Sequence, residues 1–421
     1  MIPSQCDVAV IGAGAAGLMA AIQAGRARPD LRIVVLDSAR KPGAKILVAG
    51  GGRCNVTHQA VDATAFAGST RPAIRRVLRR FDVDSTIEFF RELGVALKVE
   101  ATGKLFPVTD RARTILEALL KAAADAGVTL RHPCRAETVT AAGSGFVIAG
   151  PTHGPGRWEG LRARRVVLAT GGLSLPKSGS DGHGLVIARS LGHTVTPRLL
   201  PGLVPLTLPR GHILTTLSGL AAPAELTVRA STGRSLVTFT GPVLCTHFGL
   251  SGPVVLDVSR YYLHARLDDP DACLVCCWLP GETTGTIDAM LRALGRAGPL
   301  RPLRERMPER LARALCETAG VDPLEPGARL SRDRRRSLAA ALAGMTLPIT
   351  GDRGFNTAEV TAGGVPLAEI HLDTMRSRRC HGLSLCGEIC DVDGRIGGFN
   401  FQWAWASGRV AGTSVGEEWN G

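Results

Sequence analysis

Residues 6–17, CDVAVIGAGAAG, with LMAAIQAGRA (18–27) and RIVVLD (32–37) after them, decide the fold of this chain. Residues 6–11 are a short apolar run, the pattern of a strand buried on both faces. The Ala-rich stretch reads as a helix, and 32–36 as a second strand ended by Asp37. Together they make a β-α-β unit of crossover length. Each glycine between the first strand and the helix has a mechanical task. Gly12 makes the tight turn, Gly14 lets the backbone approach a pyrophosphate, and Gly17 lets helix and strand pack closely. The helix N-terminus, with Ala15 and Ala16 in its first turn, faces the phosphates. Asp37 is placed to accept hydrogen bonds from the adenosine ribose. A GxGxxG in this context predicts a dinucleotide site without separating NAD from FAD.

Working outward, three more glycine clusters matter. Gly50-Gly51-Gly52-Arg53-Cys54-Asn55 lies in a Gly-rich stretch, 41–57, read as a long loop suited to lie along an extended cofactor. Ala169-Thr170-Gly171-Gly172 ends a strand, and strand carboxyl ends line the ligand crevice of an α/β sheet. Gly387-Glu388, Gly394, Gly397, Gly398, Asn400 and Gln402 precede or open a helix of small residues, 400–415. An acid there can hold ribityl hydroxyls, and the N–H groups of the helix start would favour an anionic reduced flavin. Ala404, Gly408 and Gly412 recur on one face, for tight packing on the first helix. Trp403 and Trp405 are expected as core anchors. Contacts at both ends of the chain favour FAD, whose flavin half lies away from the first β-α-β unit.

A chain of 421 residues is too long for one ordinary core. The expected class is α/β: a discontinuous Rossmann-like FAD-binding domain, 1–191 and 345–421, with an inserted domain, 192–344, β-rich first and helical second. Residues 72–93 read as one helix carrying Arg75, Arg76, Arg79 and Arg80 behind Arg71. The net charge is +13, almost all of the basic residues being Arg. It is spread along the chain, which describes solubility better than one binding patch. The 11 cysteines do not follow a disulfide framework. No signal peptide and no membrane-length apolar run are read, so a cytoplasmic location is expected.

The segments IGAGAAGLMAA, GAKILVAGGGRCNVT, ATGGLSLPKSGSDGHG, TGPVLCTHFGLSGPVVLDVS, AEVTAGGV, EIHLDTMRSR and CGEICDVDGRIGGFNFQWAWASGRVAG span nearly the whole chain. In them the chain resembles the BaiN/aminoacetone-oxidase-like (YhiN-type) family of NAD(P)/FAD-dependent flavoproteins. The resemblance implies an FAD-dependent oxidoreductase. It implies FAD contacts at Gly12, Gly14, Gly17, Asp37, Arg53, Cys54, Asn55, Gly387, Glu388, Asn400 and Gln402, and adenine contact by the Ala136 backbone. Gly52, Thr170, Gly171 and Gly398 complete the expected cofactor set. The chain departs from the family pattern in having Asp37 for Glu, Leu175 for Tyr, and an altered loop, Gly179-Ser180-Asp181-Gly182-His183-Gly184-Leu185.

Beyond the cofactor, candidates are fewer. His247 could serve as acid/base, or simply hydrogen-bond a turn. Ser251 is read as a helix N-cap ahead of Pro253. Thr361-Ala362-Gly363-Gly364-Val365 could close over a flavin face, as the insert domain could. Cys54 has no CxxC partner for redox work, the cysteines of CLVCCWL lie on an apolar strand, and no cluster has a metal-site layout. The leading expectation is hydride transfer between a small organic substrate and the flavin. NAD(P)H, docking transiently, and oxygen stay open as electron partners. Alternatives are a tRNA-modifying type of flavoprotein and a flavin-holding regulator; nucleic acid has no strong case, since no aromatics interleave the Arg-rich stretches.

Overall fold

The computed structural model describes residues 4–152, 158 and 160–417. The chain divides into two compact units, Met1–Pro201 with Glu359–Gly421, and Gly202–Ala358. Each has its own apolar core.

In the first unit, β1 (Gln5–Ile11), α1 (Ala15–Ala27) and β2 (Ile33–Leu36) form the β-α-β unit. Helix α2 (Arg71–Leu78) follows, then β3 (Thr129–Arg131), β4 (Leu161–Leu168), β5 (Leu383–Leu385) and the closing helix α3 (Phe399–Glu417). Within a nine-stranded mixed sheet, five strands run β5-β4-β1-β2-β3, parallel at every step, and the antiparallel strands lie outside this run. Ile11 registers with Leu36 and with Leu168, and Leu168 with Leu385. Four carboxyl ends therefore stand level, about 4.8 Å apart from strand to strand. All four strand ends are buried, as a sheet covered on both faces requires.

The small-residue face of α3 packs on α1. A Cβ on Gly408 would lie 2.5 Å from the Ala16 carbonyl oxygen, and one on Gly412 2.2 Å from that of Ala20. Trp403 and Trp405 are buried, and their indole N–H groups donate to the Gly387 and Val56 carbonyls. They are anchors.

The second unit carries an antiparallel seven-stranded sheet, followed by helices that include Thr284–Arg292, Glu309–Thr318 and Arg332–Ala343. Its limits differ from the expected 192–344 for physical reasons. Met345–Leu347 pairs with Cys273–Cys277, and Gly351–Asp352 with Leu206–Thr207, so both stay with the second sheet. At the other border, residues 193–194 are held in the first unit by a buried polar network. His193 Nδ1 donates to Glu369 Oε2 at 2.9 Å, and Ser377 Oγ donates to Nε2 at 2.7 Å. Thr194 N and Oγ1 and the Arg379 guanidinium donate to the same carboxylate. The order Ser–His–Glu imitates a hydrolytic triad, but all three groups are buried and Ser377 Oγ also accepts the Arg379 and Cys380 N–H groups. It is a structural tie.

Burial holds the His193 imidazole below its ordinary value of 6.5, outweighing the pull of Glu369. Folding therefore favours the neutral ring. Its contribution is full above pH 6.5 and is lost as pH falls from there through the depressed folded value. We expect the Tm of the wild type to drop in that window and His193→Gln to lack that part of the drop. Parallel Tm–pH curves would refute this.

Three local expectations are corrected. The stretch 72–93 is two helices, α2 and Val83–Glu92, because Asp82 caps the second through Ser85 N at 2.9 Å. Residues 44–52, expected as loop, begin helically and break at Ala49, after which Gly50, Gly51 and Gly52 take positive φ. The helix Pro253–Asp268 has Gly252, at φ 94°, as its cap rather than Ser251, which lies in the strand Gly249–Ser251.

Candidate functional site

The level carboxyl ends of β2, β1, β4 and β5 carry the expected residues in spatial order. At β2, Asp37 Oδ2 accepts Ala13 N–H at 2.6 Å and Oδ1 accepts Ala39 N–H at 2.8 Å. Burial raises its pKa, and those two N–H groups only partly offset this. The Cys134 N–H donates to the Asp37 carbonyl, bringing the segment with Ala136 beside it.

At β1, Gly12 has φ 106°, and a Cβ there would lie 2.5 Å from the Ala169 carbonyl oxygen. A Cβ on Gly17 would be 1.9 Å from the Gly12 carbonyl oxygen, so the turn and the helix start are in contact. Gly14 differs: nothing lies within 4 Å of its Cβ position. Open space beside a helix N-terminus, left by a glycine whose own φ of −81° does not require glycine, is a cradle for an anion. Ala15 and Ala16 form the first turn of that helix.

At β4 and β5 stands a cluster that sequence reasoning saw only in part. Lys45 Nζ donates to Glu388 Oε2 at 2.6 Å, to Ser174 Oγ at 2.8 Å and to Ser180 Oγ at 3.0 Å. Glu388 Oε1 accepts from Ser174 Oγ at 2.7 Å, Thr361 Oγ1 at 2.9 Å and Thr361 N at 3.0 Å. Thr361 Oγ1 in turn accepts the Leu173 and Ser174 N–H groups. Gly172 is obligatory here: a Cβ would sit 2.4 Å from Thr361 Oγ1 and 3.0 Å from Glu388 Oε1. Gly171 is similarly close to Ser180 Oγ, at 2.5 Å, and Thr170 Oγ1 packs against Gly184. Burial alone would push the Glu388 carboxyl up, but the Lys45 ammonium and the hydrogen bonds of Lys45, Ser174 and Thr361 hold it below the usual range. Lys45 and Ser180 were missed as site residues. Their only signal was a lysine and a serine embedded in Gly-rich segments, and Lys45 meets Glu388 across 343 residues of sequence.

Other expected residues are engaged differently. The Arg53 guanidinium donates to Glu100 at 2.6 Å and lies 4.0 Å from the Phe106 ring centroid. It is thus already partnered. Gln402 is engaged at both ends of its amide: its oxygen accepts from Thr57 and Thr86, and its nitrogen donates to the Phe81 carbonyl. The Asn400 amide closes on both backbone groups of Gly394, while Gly398, at φ 96°, packs on the Thr57 backbone. Gly387 N–H donates to Ser407 Oγ. Cys54, at φ 61°, is buried and burial raises its thiol pKa, so it behaves as a small apolar group. Asn55 is the exception, because its buried Oδ1 has no hydrogen-bond partner among the described residues. The altered loop 179–185 is tied to the segment around Ala136 by Arg135–Asp181 and by His183 to the Glu137 carbonyl. Its departures from the family pattern fall beside the expected adenosine contacts. His247 belongs to the second unit, exposed on the turn after Ser235–Thr246.

A group shaped as ribose, pyrophosphate and polyol fits this order: Asp37, then the Gly14 cradle, then the Lys45–Glu388 cluster, with Asn55 Oδ1 an acceptor in need of a donor. Among the described residues, no group of His, Cys, Asp and Glu could hold a metal ion, and no helix is long and apolar enough to cross a membrane.

A family model described as HI0933-like protein Rossmann domain matches residues 6–414. The chain is 34% identical over 417 residues to the 3-dehydro-bile acid delta(4,6)-reductase of Clostridium scindens, covering 97% of this chain and 99% of that protein. It is 33% identical over 416 residues to the ribosomal RNA dihydrouridine synthase of Escherichia coli, covering 95% and 96%. Among solved structures, 3-ketosteroid delta1-dehydrogenase from Sterolibacterium denitrificans aligns with a TM-score of 0.53 at 15% identity, over 98% of this chain and 100% of that one. E. coli quinol fumarate reductase aligns at 0.51 and 18% identity, over 98% and 70%. At such identities the likeness is one of fold.

Proposed function

The chain belongs to the HI0933-like Rossmann family and is an FAD-dependent oxidoreductase, and we propose that it reduces a carbon–carbon double bond conjugated to a carbonyl group. The observation that carries this reading is the full-length likeness to two reductive proteins whose names denote different molecules. A dehydro-bile acid and a uracil base share little except a double bond polarised by a carbonyl. In the net reaction the β-carbon gains a hydride and the α-carbon a proton. Bound FAD supplies the hydride. The chain's own residues bind and orient it. Asp37 would hold the ribose, the Gly14 cradle and α1 N-terminus the pyrophosphate, and Glu388, with Lys45 balancing its charge, the polyol and flavin end. NAD(P)H is the proposed electron donor; no second GxGxxG is present, so it would dock transiently.

The test is anaerobic. Reduced holoenzyme is expected to be reoxidised by a 3-keto-4,6-diene steroid acid or by uridine-containing RNA, and to stay reduced with a saturated ketone. A flavin that neither acceptor reoxidises would overturn the proposal. Bleaching of the oxidised flavin by NADPH or NADH identifies the donor.

A further inference from the structure

The arginines of residues 71–80 and those of residues 292–336 fall in different units. In the second unit, Arg292, Arg306, Arg313, Arg334 and Arg335 are each paired with Asp288, Glu282, Glu309 or Glu325. Others there, among them Arg301, Arg304, Arg310, Arg332 and Arg336, lie outside those pairs but are divided among separate helices. Helix α2 gathers its arginines on one element. Arg71, Arg75 and Arg79 follow one another at four-residue steps, about 6 Å apart along the helix axis. Neither Arg71 nor Arg79 has a carboxylate partner among the described residues, and the nearest acid to Arg75 is Asp62, at 3.8 Å. A second row, Arg76 and Arg80, converges on the single carboxylate of Asp373. Asp373 is held well below the usual carboxylate range, to about 2, by those two guanidiniums. It fixes their positions and cancels only one of the charges. Pro72, Arg75, Arg76, Arg79, Arg80 and Asp373 together line an open depression.

The geometry points to this face as a docking surface for the phosphate backbone of a folded RNA. Planar guanidiniums in a pre-fixed row suit phosphate oxygens and keep their charge at any physiological pH. The lining contains no aromatic side chain, so bases would not be stacked on it and a single strand is poorly served. A folded RNA, recognised by shape and phosphate position, fits this chemistry. Apart from Asp373, nothing in the lining carries negative charge. The inference rests on the reductase reading in that it names the molecule carrying the reducible base; the binding itself is separable from reduction.

The test uses the full-length, FAD-loaded protein and a fluorescein-labelled RNA stem-loop, with anisotropy followed as a function of salt. Wild type should bind at low salt, and Arg71→Ala/Arg75→Ala/Arg79→Ala should bind about tenfold or more weakly, with the log–log salt slope smaller by about 2–3. These three positions leave the Asp373 pairs intact, and unchanged flavin absorbance and Tm would show that the fold survives. Arg301→Ala/Arg304→Ala, in the second unit, should bind as wild type does. No binding by wild type, equal binding and slope in the triple variant, a loss confined to the second-unit variant, or capture by phosphatidylglycerol vesicles without RNA binding would each overturn the assignment. Anaerobic flavin reoxidation by the steroid acid, measured on the same samples, tells failure of RNA docking apart from failure of the reductase reading.

Discussion

Gly14→Ala is expected to give a folded protein that purifies with little flavin, whereas Gly17→Ala should lose flavin and stability together. The two positions sit three residues apart on one turn, yet their surroundings are opposite. A methyl on Gly14 meets no protein atom within 4 Å, and φ −81° suits alanine. The apo fold should be unchanged in Tm. The methyl instead occupies the space in which a pyrophosphate would lie, and overfilling a close-packed contact costs about 2–3 kcal/mol, roughly a hundredfold in affinity. A methyl on Gly17 would stand 1.9 Å from the Gly12 carbonyl oxygen and 3.2 Å from the Ala169 Cβ. The first is backbone atom against helix start, so α1 must move as a unit, and with it the packing of α3. The readouts are visible flavin absorbance relative to protein absorbance, and Tm of the deflavinated samples. Full flavin content in Gly14→Ala would remove the pyrophosphate from this cradle.

Lys45→Met is expected to cost about 2–4 kcal/mol at neutral pH, by leaving a largely buried carboxylate without its counter-charge. The Glu388 side chain is 18% exposed and that of Lys45 24%, so solvent gives limited relief. The pH dependence should also change sign. In the wild type the Glu388 pKa lies below its ordinary value of 4.5. Its contribution is therefore present above pH 4.5 and lost as pH falls through the folded value. Without the ammonium, burial is the largest influence left and the folded pKa should rise above 4.5. The contribution then belongs to the protonated form, present below pH 4.5 and lost as pH rises. The Tm gap between wild type and variant should consequently narrow on acidification. A gap independent of pH would show that the pair is not the electrostatic centre described above. Flavin affinity should fall with stability, since Glu388 loses the partner that fixes its orientation.

How much of this was legible beforehand depends on what kind of information each feature needs. The turn Gly12–Gly17 could be read because each glycine answers a local demand, and strand, turn and helix are contiguous. The pairing of the α3 small-residue face with α1 could be read from its helical period. The Arg row of α2 was visible as composition, but not which of its members meets an acid: Asp373, which pairs Arg76 and Arg80, lies 297 residues from Arg76 in sequence.

Side-chain partners were the illegible part. Arg53 and Gln402 have the residue types of cofactor contacts, but nothing in the sequence showed that Glu100 and Phe106 would meet the first, or Thr57, Thr86 and Phe81 the second. Lys45 looked incidental and became the counter-charge of Glu388. By itself the sequence determined the nucleotide-binding topology and the residues that must be small, because steric exclusion acts through neighbours in the chain. Only the tertiary structure decided which charges meet and where the units divide. Those outcomes turn on the level ends of parallel strands, which bring distant segments within hydrogen-bonding distance.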